Sequence, residues 1–197
     1  MTAQINDIFC YRDSTFNVSG ISEGELFDIS VLGLTPVATC TACWRGYRAI
    51  FTVADFHLVL DGLHVNLVGM PQGQDQMGPV INGVTPNPPD NDSMLFDNYY
   101  EGLNYHLEYS GGVLLADNFI YDLYEHMGFH PPWKYETVIE LIFERGILKQ
   151  EADRSDQMAR IRAMILDASA ASPPDPRPTM KEIRQFVERA FDRRYRL

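Results

Sequence analysis

The sequence predicts an α+β protein, a mainly antiparallel, curled or barrel-like β-sheet with one internal helix and two C-terminal helices. Three observations predict it. Period-two alternation of apolar and polar residues, broken by short turn signals, recurs through residues 5–152. Eleven Phe and ten Tyr suit a pleated surface better than a helix bundle. Beyond residue 152 the apolar spacing changes to that of helices. The chain therefore divides into a β-rich core domain, 1–152, and a C-terminal helical segment, 153–197.

The clearest strands lie between Trp44 and Leu67. Tyr47, Ala49, Phe51 and Val53 share one face opposite Arg48 and Thr52. Phe56, Leu58 and Leu60 follow, then Asp61-Gly62 as a turn, then Leu63, Val65 and Leu67, an antiparallel meander with one wet face. Weaker strands are expected at 8–11, 15–18 and 26–32. Residues 69–98 are crowded with Gly, Pro and Asp and read as a long loop, with a short strand at 79–83. Alternation resumes at Leu103, Tyr105, Leu107 and Tyr109, and Ser110-Gly111-Gly112 turns the chain into Val113-Leu114-Leu115. Asp117 is placed to cap a helix carrying Ile120, Leu123, Tyr124 and Met127, with Gly128 as its stop. Residues 138–150 form a final hairpin around Glu144-Arg145-Gly146. One helix is predicted at about 156–168. A linker rich in Ala, Ser and Pro follows to 178. Thr179 and Glu182 make a capping box opening the last helix, whose stripe is Met180, Ile183, Val187, Ala190 and Phe191.

The formal charge is −11, which works against nucleic acid and anionic membrane as partners. It is unevenly spread. Residues 181–197 carry a net +3, leaving −14 on residues 1–180. Such a tail either docks on the acidic body or offers a contact surface, and docking is expected. The N-terminal MTAQINDIFCYRD has no basic region followed by an apolar run, so no signal peptide is expected. No apolar run approaches the length of a membrane span. Three cysteines, an odd number, point to a reducing compartment, hence a cytoplasmic protein.

Motifs for cofactor, metal or nucleophile chemistry are absent. Cys40-Thr41-Ala42-Cys43 is a lone C-x-x-C with no second ligand pair, and buried small hydrophobes explain it better than zinc or redox chemistry. His126 and His130 are four apart, but Gly128 and Pro131-Pro132 end the helix between them. His57, His64 and His106 fall on polar strand faces and read as solvated. No cofactor and no structural metal is expected.

What remains is density. Trp44-Arg45-Gly46-Tyr47 opens the best strand, and residues 126–135 hold His126, His130 and Trp133 among prolines and aromatics. If these stretches meet, Trp44, Arg45, Tyr47, His126, His130 and Trp133 form a ligand-binding candidate of cations over aromatic walls. The structural alternative is a packed corner in which Arg45 pairs with a carboxylate. At Ala42-Cys43-Trp44-Arg45-Gly46-Tyr47 and Tyr124-Glu125-His126-Met127-Gly128-Phe129 the chain resembles an uncharacterised family of bacterial proteins. The resemblance covers residues 40–150 and implies that the two stretches belong together; it carries no activity.

Two functions follow as expectations. The first is a non-enzymatic binding or accessory module that recognises a partner through its acidic surface or the Trp44/His130 region, one form being an immunity-type protein that neutralises a basic partner. The second is an enzyme with His126 or His130 as general base and Arg45 holding a small anionic substrate. The partner is a small molecule or a protein, and the C-terminal helices offer a surface for a homodimer.

Overall fold

A computed structural model describes residues 2–67, 77–89, 95–171 and 180–197. Among these, the strands are β1 (Ile8–Tyr11), β2 (Ser14–Ile21), β3 (Tyr47–Ala54), β4 (His57–Val65), β5 (Asn98–His106), β6 (Gly111–Phe119), β7 (Tyr135–Glu144) and β8 (Ile147–Asp153). The helices are α1 (Ser155–Ala171) and α2 (Met180–Phe191). The strands form one sheet in the order β3-β1-β2-β6-β7-β8-β4-β5, and a β3–β4 pairing closes it into a ring. Strand pairings are antiparallel apart from β1 with β3, which run parallel.

Alternation fills the ring. Phe9, Phe51, Leu60, Leu63, Tyr100 and Leu115 meet inside it and are almost wholly buried. Each such side chain contributes about 1.5–3 kcal/mol by leaving water. A second cluster lies outside the sheet, where Met158 of α1 packs on Leu114, Ala116, Tyr135 and Val138. Arg162 of α1 donates to the carbonyls of Trp133 and Tyr135, at 2.9 and 3.0 Å, and ties the helix to the start of β7.

Four local expectations are corrected. The turn between β3 and β4 is at Asp55-Phe56, both at positive φ, as a tight hairpin turn requires. Asp61-Gly62 instead lies within β4. Ile50 faces Gly62 and Phe51 faces Leu60, so Asp61 is the extra residue of a bulge. The strand expected at 26–32 is a 3-10 turn, Ile29–Leu32, because the Asp28 carboxylate caps the Ser30 amide at 2.9 Å and Gly33 stops it in a left-handed conformation. At 79–83 an isolated bridge, Ile81 to Val84, stands where a strand was expected.

The internal helix is also corrected, so the chain has two α-helices among the described residues and not three. β6 continues through Asp117 to Phe119, pairing with Thr137 and Tyr135, and only a 3-10 turn, Tyr121–Leu123, follows. Asn118 at φ 57 cannot continue a helix. The backbone of β7 offers this segment a ladder, and ladder pairing overrides its helical spacing. Tyr124, which the expected helix would have carried on its apolar face, is exposed.

The capping box at Thr179 lies outside the described residues. α2 leaves Met180 and Phe186 exposed.

Candidate functional site

The approach to β3 is a tight double turn. The Gly46 amide donates to the Cys43 carbonyl at 3.1 Å and the Cys43 amide to Cys40 at 3.4 Å. Gly46 sits at φ 71, and a Cβ there would lie 2.5 Å from the Val37 carbonyl oxygen, so only glycine fits. Arg45, just before it, reaches the segment leading into β1.

There the Asp7 carboxylate is buried. Arg45 grips it with both terminal nitrogens, Nη1 to Oδ2 at 2.8 Å and Nη2 to Oδ1 at 3.0 Å. Arg193 from the tail adds Nη1 to Oδ2 at 3.0 Å, and the Ala49 amide adds 2.9 Å to Oδ1. Burial alone would raise the Asp7 carboxyl. The guanidiniums of Arg45 and Arg193, helped by the Ala49 amide, overrule burial and hold it at about 2. Phe129 lies against both guanidiniums, 5.6 Å from Arg45 and 4.8 Å from Arg193, and Tyr47 is 4.8 Å from Arg45. Guanidinium planes are weakly hydrated and stack on such rings.

The C-terminal tail reaches this cluster in extended form, bridging the end of β2. The Phe129 amide donates to the Ala190 carbonyl at 2.7 Å, and Trp44 stacks on Phe191 with centroids 4.7 Å apart. Arg194 then forms a parallel bridge with Ile21. The Ile21 amide donates to Arg193 at 2.9 Å, and the Tyr195 amide donates back to Ile21 at 3.2 Å. By strand alternation Arg193 and Tyr195 face the sheet while Arg194 points to solvent. The Tyr195 hydroxyl donates to Glu140 Oε1 at 2.6 Å, and Arg154 donates to Oε2 at 2.8 and 2.6 Å. Burial, and then Glu140, push the Tyr195 hydroxyl up, so it stays a donor.

A cavity of about 380 Å³ opens over these groups, lined by Arg45, Tyr47, Phe27, Phe129, Phe191 and Arg193. Arg45 and Tyr47 of the predicted site are therefore together. His130 and Trp133 line a neighbouring cleft of about 570 Å³ that shares Phe129 and Arg193 with the first. His126 lines neither; its Nδ1 lies 3.0 Å from the Tyr124 hydroxyl. Trp44 also stands outside both, against Phe191.

His130 is sandwiched near Phe119 and Tyr124, with centroids at 4.7 and 5.2 Å, and its buried Nε2 has no hydrogen bond. Burial, then the Lys134 charge, lower its pKa against the opposing pull of Glu125, which keeps the ring neutral. Lys134 is itself 1% exposed. Its Nζ lies 3.1 Å from Glu125 Oε2, off the line of a hydrogen bond, and 5.2 Å from the Trp133 ring.

The expectation of a solvated His64 is corrected. Residues 95–99 cover that face of the sheet, and His64 is buried 4.4 Å from the Tyr99 ring and beside Phe96. Arg48 Nη2 lies 3.0 Å from its Nδ1. Burial, then Arg48, push its pKa down to about 4. Cys43 is buried and its Sγ lies 3.3 Å from the Tyr47 carbonyl; Cys40 is half-buried and Cys10 exposed, all three as free thiols. Among the described residues no group of three or more His, Cys, Asp or Glu is arranged to hold a metal, and no helix is long and apolar enough to cross a membrane.

Sequence reasoning missed Asp7, Glu140, Arg193 and Tyr195. Asp7 gave no signal, lying alone in a polar N-terminal stretch. Arg193 and Tyr195 had one, the basic tail on an acidic chain. No family model, curated protein or solved structure matches this chain, so its function has to be read from the site.

Proposed function

We propose that this chain is a non-enzymatic binding or accessory module whose acidic body recognises a basic partner, in the manner of an immunity-type protein. One observation carries the reading. The body already holds a basic segment, its own tail, with Arg193 on buried Asp7 and Tyr195 on buried Glu140. The net −14 of residues 1–180 also accelerates encounter with a cationic partner. The catalytic alternative has less support. Its anion holder, Arg45, is committed to Asp7, and the imidazoles of His126 and His130 lie outside the Arg45 cavity. A general base must reach the proton it takes.

Titration calorimetry of the purified full chain tests the reading, with arginine-rich peptides carrying one aromatic residue and their charge-reversed counterparts as probes. The basic peptides should bind, more weakly at about 0.3 M than at about 0.05 M salt, since screening shortens the reach of the surface charge. Equal heats from the acidic peptides, or none from the basic ones, would contradict it.

A further inference from the structure

We propose that the groove beside Ile21, filled by residues 193–195, is the seat of a partner strand of pattern Arg-x-Tyr, and that the chain's own tail is an exchangeable occupant. This rests on the binding-module reading and gives it a place and a ligand chemistry. The geometry is that of strand addition, in which backbone hydrogen bonds supply affinity and alternate side chains supply specificity. Ile21 gives and takes one backbone bond with the incoming strand. The first inward residue meets the Asp7 carboxylate and the Phe129 ring, and the third enters a slot ending at Glu140.

Two glycines mark that slot as built for an aromatic ring. Gly20 in β2 and Gly112 in β6 lie within strands and have no positive φ that would demand glycine. What demands it is space. A Cβ on Gly20 would come within 2.9 Å of both the Tyr195 ring and Leu114 Cδ1, and one on Gly112 would overlap the Tyr195 hydroxyl, its nearest contact.

The groove also survives an empty state. Each buried carboxylate that the tail touches has a resident partner: Asp7 keeps both Arg45 bonds and the Ala49 amide, and Glu140 keeps both Arg154 bonds. Departure of the tail strands no buried charge, which is the circumstance that makes an internal salt bridge costly to open. Arg194, between the two anchors, pairs with Asp192 of the tail itself at 2.8 Å.

The occupant is a partner and not a second copy: a second copy would bring the same basic tail but with it a −14 body that the first repels, whereas a separate basic segment is only attracted. The intramolecular tail competes at an effective concentration on the order of millimolar, so a free strand sees only the open fraction of molecules.

The probe is a fluorescent peptide with the sequence Ala-Phe-Asp-Arg-Arg-Tyr-Arg-Leu, titrated by anisotropy into full-length protein. Arg193→Ala and Tyr195→Ala each remove one anchor from the resident tail. Both variants should bind the peptide at least about tenfold more tightly than the unaltered chain, as release of a dominant competitor requires. A peptide with its Tyr replaced by Ala should lose that gain, and adding Gly112→Ala to Tyr195→Ala should abolish it. If Tyr195→Ala fails to fold, Arg193→Ala alone decides, since Asp7 keeps Arg45. Equal binding to all forms, with a scrambled peptide binding as well, overturns the groove but leaves a charge-driven binding module standing. No binding by any form overturns both. An unaltered chain that sediments as a dimer and dissociates on adding the peptide would make a second copy the occupant and overturn the partner assignment.

Discussion

Replacing Arg45 by Ala removes two of the four hydrogen bonds to the Asp7 carboxylate, a side chain only 5% exposed. Breaking a buried pair by deleting one partner costs about 3–5 kcal/mol. Here Arg193 and the Ala49 amide stay, so the expected loss is at the lower end, about 3 kcal/mol. Arg193→Ala removes one bond and leaves the two-point Arg45 grip, for an expected loss of about 1.5 kcal/mol. The order Arg45→Ala worse than Arg193→Ala is thus fixed by geometry. Acid provides an independent check. The carboxyl of Asp7 is depressed from 3.8 to about 2 in the fold, which is worth about 2 kcal/mol. A depressed carboxyl stabilises fully above its unfolded pKa, and that contribution is lost as pH falls from about 4 towards 2. Without Arg45 the carboxyl moves back towards its ordinary value, so the variant should lose less on acidification and the gap to the unaltered chain should narrow below about pH 4. Urea unfolding at neutral and acid pH measures all three stabilities. An Arg45→Ala chain as stable as the original at neutral pH would refute the reasoning. So would an Arg193→Ala chain less stable than it, or a gap that ignores pH.

Two further outcomes follow from buried groups. His64, held at about 4, should give a neutral-ring signal by NMR down to about pH 5. A buried neutral histidine stabilises fully above 6.5, and that share is lost as pH falls from 6.5 through about 4; an ordinary titration midpoint would contradict the burial by Tyr99 and Arg48. Lys134→Met should cost less than about 1 kcal/mol or stabilise, because it removes a poorly bonded buried charge. Glu125→Ala, which strands that charge, should cost more, and the reverse order by thermal unfolding would show that the Lys134 ion pair is net stabilising.

Much of the sheet was legible because period two is a direct consequence of one face being buried. Tyr47 to Val53 and Leu103 to Tyr105 needed nothing else. Where the reading failed, a long-range partner decided. Asp61-Gly62 has turn chemistry, yet β3 and β5 on either side make it a bulge. Residues 117–127 have helical spacing, yet β7 takes Asp117 and Phe119 into its ladder. His64 sits on a polar face by alternation, and only the return of residues 95–99 buries it. The site follows the same pattern. Arg45 and Tyr47 were found from local density, but Asp7 and Arg193 are 186 residues apart in sequence. Nothing short of the fold could join them, although the charge contrast between tail and body foretold that something would.

The docked tail is the claim on which the rest depends, and amide hydrogen exchange on the full chain tests it most directly. The Ile21 and Tyr195 amides, bonded to each other's strands at 2.9 and 3.2 Å, should both be protected, as should the Val18 amide bonded to Asp7 at 2.9 Å. In Tyr195→Ala, Ile21 should exchange quickly while Val18 stays protected, since β1–β2 pairing does not involve the tail. An Ile21 amide that exchanges quickly in the unaltered chain, or stays protected when Tyr195 is removed, would contradict a tail strand seated on β2.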